Sequence, residues 1–245
     1  MSGVPDAGPA GRTAGPASGH PVLAPLRGQL IVSCQAYPGE PLRDPDAMRR
    51  MALAALDGGA AGIRAQGLAD LWAIRAATRA PLIGLWKDGK AGVVITPTAM
   101  HAREVARTGA DIVALDATAR PRPDGRPLAE SIDAVHEAGR LVMADVATEA
   151  EAVRAAELGA DLVGTTLSGY TEDSPKTPGP DLALVERLAR RLPVPVVAEG
   201  RIHTPDQAAA AIAAGAFAVV VGTAITHPTT LTRWFADAVR RTDAD

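Results

Sequence analysis

The chain has 245 residues, 47% of them hydrophobic and 22% charged, enough apolar surface for one substantial core and a length that suits one barrel-sized domain. A formal net charge of -3 excludes the basic footprint that nucleic-acid binding demands, so no nucleic-acid partner is expected. The single cysteine, Cys34, rules out an internal disulfide framework, and the five histidines have no zinc-like spacing; a reducing, cytoplasmic location and no bound metal are expected.

The segment from Met1 to Gly28 holds eleven Gly or Pro residues and little apolar periodicity, which predicts a disordered tail over residues 1–27 ahead of a catalytic domain over 28–245. No apolar stretch reaches the roughly 20 residues of a membrane helix, and the start lacks a secretion-signal pattern, so no membrane partner is expected. Eight short β-rich runs then alternate with Ala-, Leu- and Arg-rich helical stretches: Gln29 to Ser33, Gly62 to Ala65, Leu82 to Trp86, Ile112 to Asp116, Leu141 to Asp145, Leu162 to Thr166, Pro195 to Glu199 and Ala218 to Gly222. That alternation is the signature of βαβ units and a parallel sheet. Thr98, Thr148 and Thr204 are placed to open three of the helices, the last followed by Pro205.

A Gly-Ala step recurs at Gly59-Ala60, Gly109-Ala110, Gly159-Ala160 and Gly215-Ala216, spaced by 50, 50 and 56 residues. Each interval equals two βα units of about 25 residues, with glycine supplying the left-handed turn that ends a helix. The first strand runs into Ser33-Cys34-Gln35 without a G-x-G-x-x-G loop, which disfavours a doubly wound dinucleotide fold. The α/β class with a (β/α)8 barrel is therefore expected.

In such a barrel the site is built at the C-terminal strand ends. In chain order these offer Gln35, Arg64, Lys87, Asp116, Asp145, Thr165 with Thr166, and Glu199, and the eighth gives Gly222-Thr223. Polarity also returns at strand ends for no functional reason, so the set carries more weight than any member. Lys87 is one of only three lysines beside twenty-two arginines. Its ammonium can lose a proton when desolvated, whereas guanidinium cannot; the other reading is a solvated turn from Lys87 to Lys90.

Strands 3 and 7 lie opposite each other in an eight-stranded barrel, so Lys87 and Glu199 should approach a central ligand from two sides. Glu199 could instead form a structural ion pair with Arg64 or Lys87. Gly200-Arg201 and Gly222-Thr223 stand where this fold often binds phosphate, with His227 the nearest histidine. Cys34 reads as a small buried apolar residue.

The runs Ile31-Val32-Ser33-Cys34-Gln35, Gly62-Ile63-Arg64, Ala114-Leu115-Asp116, Arg120-Pro121-Arg122-Pro123, Gly164 to Thr171, Ala198-Glu199-Gly200-Arg201 and Val221 to Thr226 together resemble the N-acetylmannosamine-6-phosphate 2-epimerase family of sialic-acid catabolism. The resemblance spans about residues 28 to 240. It implies a barrel isomerase that inverts C2 of N-acetylmannosamine 6-phosphate without a cofactor, acting on a small-molecule sugar phosphate, with a homodimer as the assembly to test. It places Lys87 and Glu199 on catalytic positions and Gln35, Arg64 and Asp145 on substrate contacts, to which Thr165 is added from its strand end. Gly200, Arg201, Gly222, Thr223 and His227 are expected at the phosphate; His227 departs from the arginine family members often carry there. Two other functions fit the strand-end residues: a Schiff-base aldolase using Lys87, and a sugar-phosphate sensor that has lost the reaction.

Overall fold

A computed structural model describes residues 20–241. Eight parallel strands, β1 (Leu30–Cys34), β2 (Gly62–Gln66), β3 (Leu82–Leu85), β4 (Ile112–Asp116), β5 (Leu141–Asp145), β6 (Leu162–Gly164), β7 (Val196–Glu199) and β8 (Ala218–Val221), close into a barrel in sequence order. β1 pairs with both β2 and β8. The outer layer is α1 (Pro45–Asp57), α2 (Leu68–Ala77), α3 (Ala99–Arg107), α4 (Leu128–Glu137), α5 (Glu149–Glu157), α6 (Leu182–Arg191) and α7 (Pro205–Ala213), followed by a one-turn α8 (Thr223–Thr226) and α9 (Pro228–Arg241). The (β/α)8 expectation holds.

Local chemistry explains the helix boundaries. Thr98 caps α3, while Thr148 and Thr204 each form a reciprocal capping box, with Glu151 and Gln207. The four glycines of the Gly-Ala repeat all take positive φ, between 86° and 100°, as chain reversal after a helix requires.

Side-chain alternation divides the core in two. Ile31, Ile83, Leu85, Ile112, Ala114, Met143, Leu162, Val197 and Val220 fill the barrel, while Val32, Cys34, Ile63, Ala65, Val113, Leu115 and Val142 face the helices. This parity matters for the site, because Lys87 follows Leu85 by two residues and Glu199 follows Val197 by two.

The part of the predicted tail that the structure describes is ordered and packed. Residues 1–19 lie outside the described region, but Ala24–Leu26 form a 3-10 turn, and Leu23 and Leu26 are fully buried against the interior cluster. Two leucines among the glycines and prolines suffice to close the bottom of the barrel, and Gly28 N–H donates to the Phe217 carbonyl. A side chain at Gly62 would strike Leu26 at 2.8 Å, so the plug and β2 are fitted to each other.

Candidate active site

A cavity of about 570 Å³ opens at the C-terminal end of the barrel. Its lining includes Gln35, Gln66, Lys87, Arg120, Thr166, Glu199, Gly200, Arg201, Gly222, Thr223 and His227. The opposed strands β3 and β7 therefore bring Lys87 and Glu199 to one space.

The backbone at Lys87 is held by its loop. Lys87 bridges to Ile95, Asp88 N–H donates to Val94, Thr96 N–H donates to Trp86, and Trp86 N–H returns a bond to the Thr96 hydroxyl at 3.1 Å. Thr96 takes φ 45°, a conformation rare for a β-branched residue, to close this hairpin. His101, buried on α3, braces it from outside by bridging Thr98 and Asp88 and packing against Trp86. The Lys87 side chain lies open to the cavity, with the Tyr37 ring 6.0 Å from its Nζ. Desolvation first, and then the Arg64 charge, lower its pKa, against the opposing pull of Glu199 and Asp145. A sugar entering the cavity would remove further water and push in the same direction.

Below the cavity floor lies a charged layer that the lining does not include. Arg64 is 1% exposed and forks onto Asp145, itself fully buried, at 3.1 and 2.6 Å. Arg64 Nη1 also stands 3.0 Å from Glu199 Oε2, so the ion pair weighed from sequence exists. Burial alone would weaken the hold of Arg64 on its proton, but Asp145 and then Glu199 reverse this, and the net direction is upward. For Glu199 desolvation dominates and raises the pKa despite Arg64.

The Thr166 hydroxyl sits 2.8 Å from Asp145 Oδ1 and 2.9 Å from Glu199 Oε2. One hydroxyl has one proton, which it shares between the two carboxyl groups and so ties Glu199 to Asp145. Desolvation and the nearby Asp145 charge both favour the neutral form of Glu199, while Arg64 and this hydroxyl oppose it.

Other predicted residues are distributed as follows. Gln35 lines the cavity, with Nε2 donating to Ser33 at 2.8 Å and Oε1 buried without a partner among the described residues. Thr165 is buried and grips the Glu199 backbone through its hydroxyl, as donor to the carbonyl at 3.0 Å and acceptor from N–H at 3.1 Å. Arg64, Asp145 and Thr165 therefore sit behind the cavity surface, where sequence reasoning expected substrate contacts.

Arg201, at φ 56° after Gly200, lines the cavity but directs its guanidinium to the Ser168 and Gly179 carbonyls and over the Tyr170 ring. It ties the β6–α6 loop to β7. His227 is 6% exposed, leaves Nδ1 without a hydrogen-bond partner, and packs on Tyr37 with Glu40 at 3.9 Å. Cys34 faces the helix layer, and burial pushes its thiol up to about 12, the inert state expected.

Sequence reasoning passed over Gln66, and it named Arg120 only within the run Arg120-Pro121-Arg122-Pro123, without a role. A usable signal existed for the second: Arg120 follows Asp116 by four residues with Thr118 between them.

Residues 48–241 match a family model described as "Putative N-acetylmannosamine-6-phosphate epimerase". A relative from Cutibacterium acnes, described as an N-acetylmannosamine-6-phosphate 2-epimerase in the same terms, is 55% identical over 222 residues, covering 89% of this chain and 97% of the relative. One from Caldanaerobacter subterraneus is 49% identical over 223 residues, covering 89% and 94%. The solved N-acetylmannosamine-6-phosphate 2-epimerase from Clostridium perfringens superposes with a TM-score of 0.87 at 44% identity, covering 90% of this chain and 97% of that one.

Proposed function

Because the chain belongs to the N-acetylmannosamine-6-phosphate epimerase family, we propose that it interconverts N-acetylmannosamine 6-phosphate and N-acetylglucosamine 6-phosphate by proton transfer at C2, with Lys87 and Glu199 as the reacting groups. One observation carries the assignment of residues: Lys87 and Glu199, the amine and the carboxyl at the ends of opposite strands, line the same cavity. Desolvation favours the neutral amine and the neutral carboxyl, the forms that can accept and donate a proton.

In the ring-opened sugar the C1 aldehyde acidifies the C2 hydrogen. Neutral Lys87 takes that proton, the electron pair moves into a C1–C2 enolate, and return of a proton to the other face inverts C2. Protonated Glu199 assists ring opening or supplies the returning proton. Arg64 and Asp145 act from beneath by fixing Glu199 and Thr166, and Gln35 orients the sugar. Gly222 and Thr223 stand at the first turn of α8, where backbone N–H groups lack helical partners, and with His227, Gly200 and Arg201 they form the phosphate end.

The profile of kcat/KM against pH is expected to be a bell whose flanks lie inside the ordinary Glu and Lys values of about 4.3 and 10.4. Acid protonates Lys87 and alkali ionises Glu199, so both extremes remove the reactive pair. Glu199→Gln should cut turnover by about 10²-fold or more and erase one flank. A rate unchanged by that substitution would remove Glu199 from the reaction.

A homodimer accords with the same chain. Among the described residues α9 buries none of its own, although Trp234 and Phe235 are apolar and Phe235 is 74% exposed. Beside it, an apolar groove of about 400 Å³ runs along Leu30, Val219, Val221, Ala208, Ile212 and Ile225, against the outside of β8 and β1. A second copy supplies the matching surface through a two-fold axis. Light scattering should give twice the chain mass for the parent protein and the single mass for Phe235→Asp; a parent protein that is already monomeric contradicts the dimer.

A further inference from the structure

Arg120 lies in the loop after β4 and lines the cavity, as do Val94 and Ile95. Its guanidinium is anchored from behind: Nε donates to the Thr118 hydroxyl at 3.0 Å and Nη2 to Asp116 at 2.7 Å. Asp116 is fully buried and also accepts from the Thr118 N–H and hydroxyl. The Arg122 guanidinium holds the Asp116 carbonyl and, at 3.0 Å, that of Pro97, which locks this loop against the one that carries Lys87. Two polar groups thus fix the arginine, while Nη1 has no partner among the described residues. Arg64, by contrast, has both terminal nitrogens engaged by carboxylates.

Position indicates what the free edge meets. β4 lies opposite β8 in the closed barrel and next to β3. A sugar whose 6-phosphate sits at the β8 loop therefore extends its C1–C2 end toward β3 and β4. Lys87 must reach the hydrogen on C2, so the other substituent of C2 falls beside it. Resting on the epimerase reading above, we infer that Arg120 is a specificity-determining residue that donates Nη1–H to the carbonyl oxygen of the C2 acylamino group, with the acyl methyl against Val94 and Ile95. A guanidinium held by its other edge presents this donor with little loss of side-chain freedom. The contact orients C2 toward Lys87 and distinguishes an N-acylated sugar phosphate from the unacylated one.

The test compares binding of N-acetylglucosamine 6-phosphate and glucose 6-phosphate by calorimetry, in the parent protein and in Arg120→Gln. The parent should bind the acylated sugar more tightly. Arg120→Gln should weaken the acylated sugar by about 10- to 100-fold, the worth of one charge-assisted hydrogen bond, and leave glucose 6-phosphate within about threefold. Since Arg120→Gln leaves Asp116 buried without its cation, Arg120→Lys serves as the second variant: it keeps the charge beside Asp116, lacks the planar fork, and should show the same selective loss in smaller degree. Equal weakening of both sugars, or no preference in the parent, overturns the role of Arg120 while leaving the C2 chemistry standing. A parent protein that binds neither sugar overturns both.

Discussion

Lys87→Ala is expected to lower kcat for N-acetylmannosamine 6-phosphate by about 10²- to 10⁴-fold, the range a positioned proton-transfer group contributes. The fold should survive, because the Lys87 side chain lies open to the cavity and its loop is held by backbone bonds of Trp86, Asp88 and Thr96 that alanine preserves. A circular-dichroism melt superimposable on the parent, alongside lost conversion, is the expected pair of results. Lys87→Arg should be as inactive as the alanine variant. It restores the positive charge but not a group that can release its proton, so recovery of activity by arginine would indicate that charge alone was needed.

Asp145→Asn should act through stability and activity together. Arg64 is almost wholly buried, and Asp145 takes two of its hydrogen bonds; removing that charge leaves a buried guanidinium facing only Glu199. Breaking such a pair costs about 3–5 kcal/mol, which for a chain of this size lowers Tm by roughly 6–20 °C. The remaining charge would also draw Glu199 toward its ionised form, and an amide nitrogen would replace one of the two oxygens that Arg64 and Thr166 use. Turnover should then fall even at temperatures where the variant is folded. A thermal melt unchanged from the parent would contradict the assignment of Arg64 and Asp145 to a buried supporting layer.

The contrast between these variants marks what could be read from sequence. The eight strands were legible because apolar runs alternate with helical periods, and β4 and β5 fall on their predicted bounds. The glycine repeat was legible because the positive φ that ends a helix favours one residue type. Depth within the barrel was not. β2 runs one residue past its predicted end, to Gln66, so Gln66 reaches the cavity, while Arg64, two residues earlier on the same inward face, falls in the layer below. β6 stops at Gly164, ahead of Thr165 and Thr166, whose hydroxyls bond to β7 and its Glu199. Those contacts join residues more than thirty positions apart and leave no local trace. Arg120 was given no role for a related reason: a loop arginine looks solvated until its buried carboxylate partner is seen.

The central claim, that this chain moves a proton at C2 of an N-acetylated hexosamine 6-phosphate, is tested most directly by proton NMR of N-acetylmannosamine 6-phosphate with the parent protein in heavy water. Conversion to N-acetylglucosamine 6-phosphate with deuterium entering at C2 is the predicted result. Conversion with the C2 proton fully retained, or no conversion and no exchange, would contradict it.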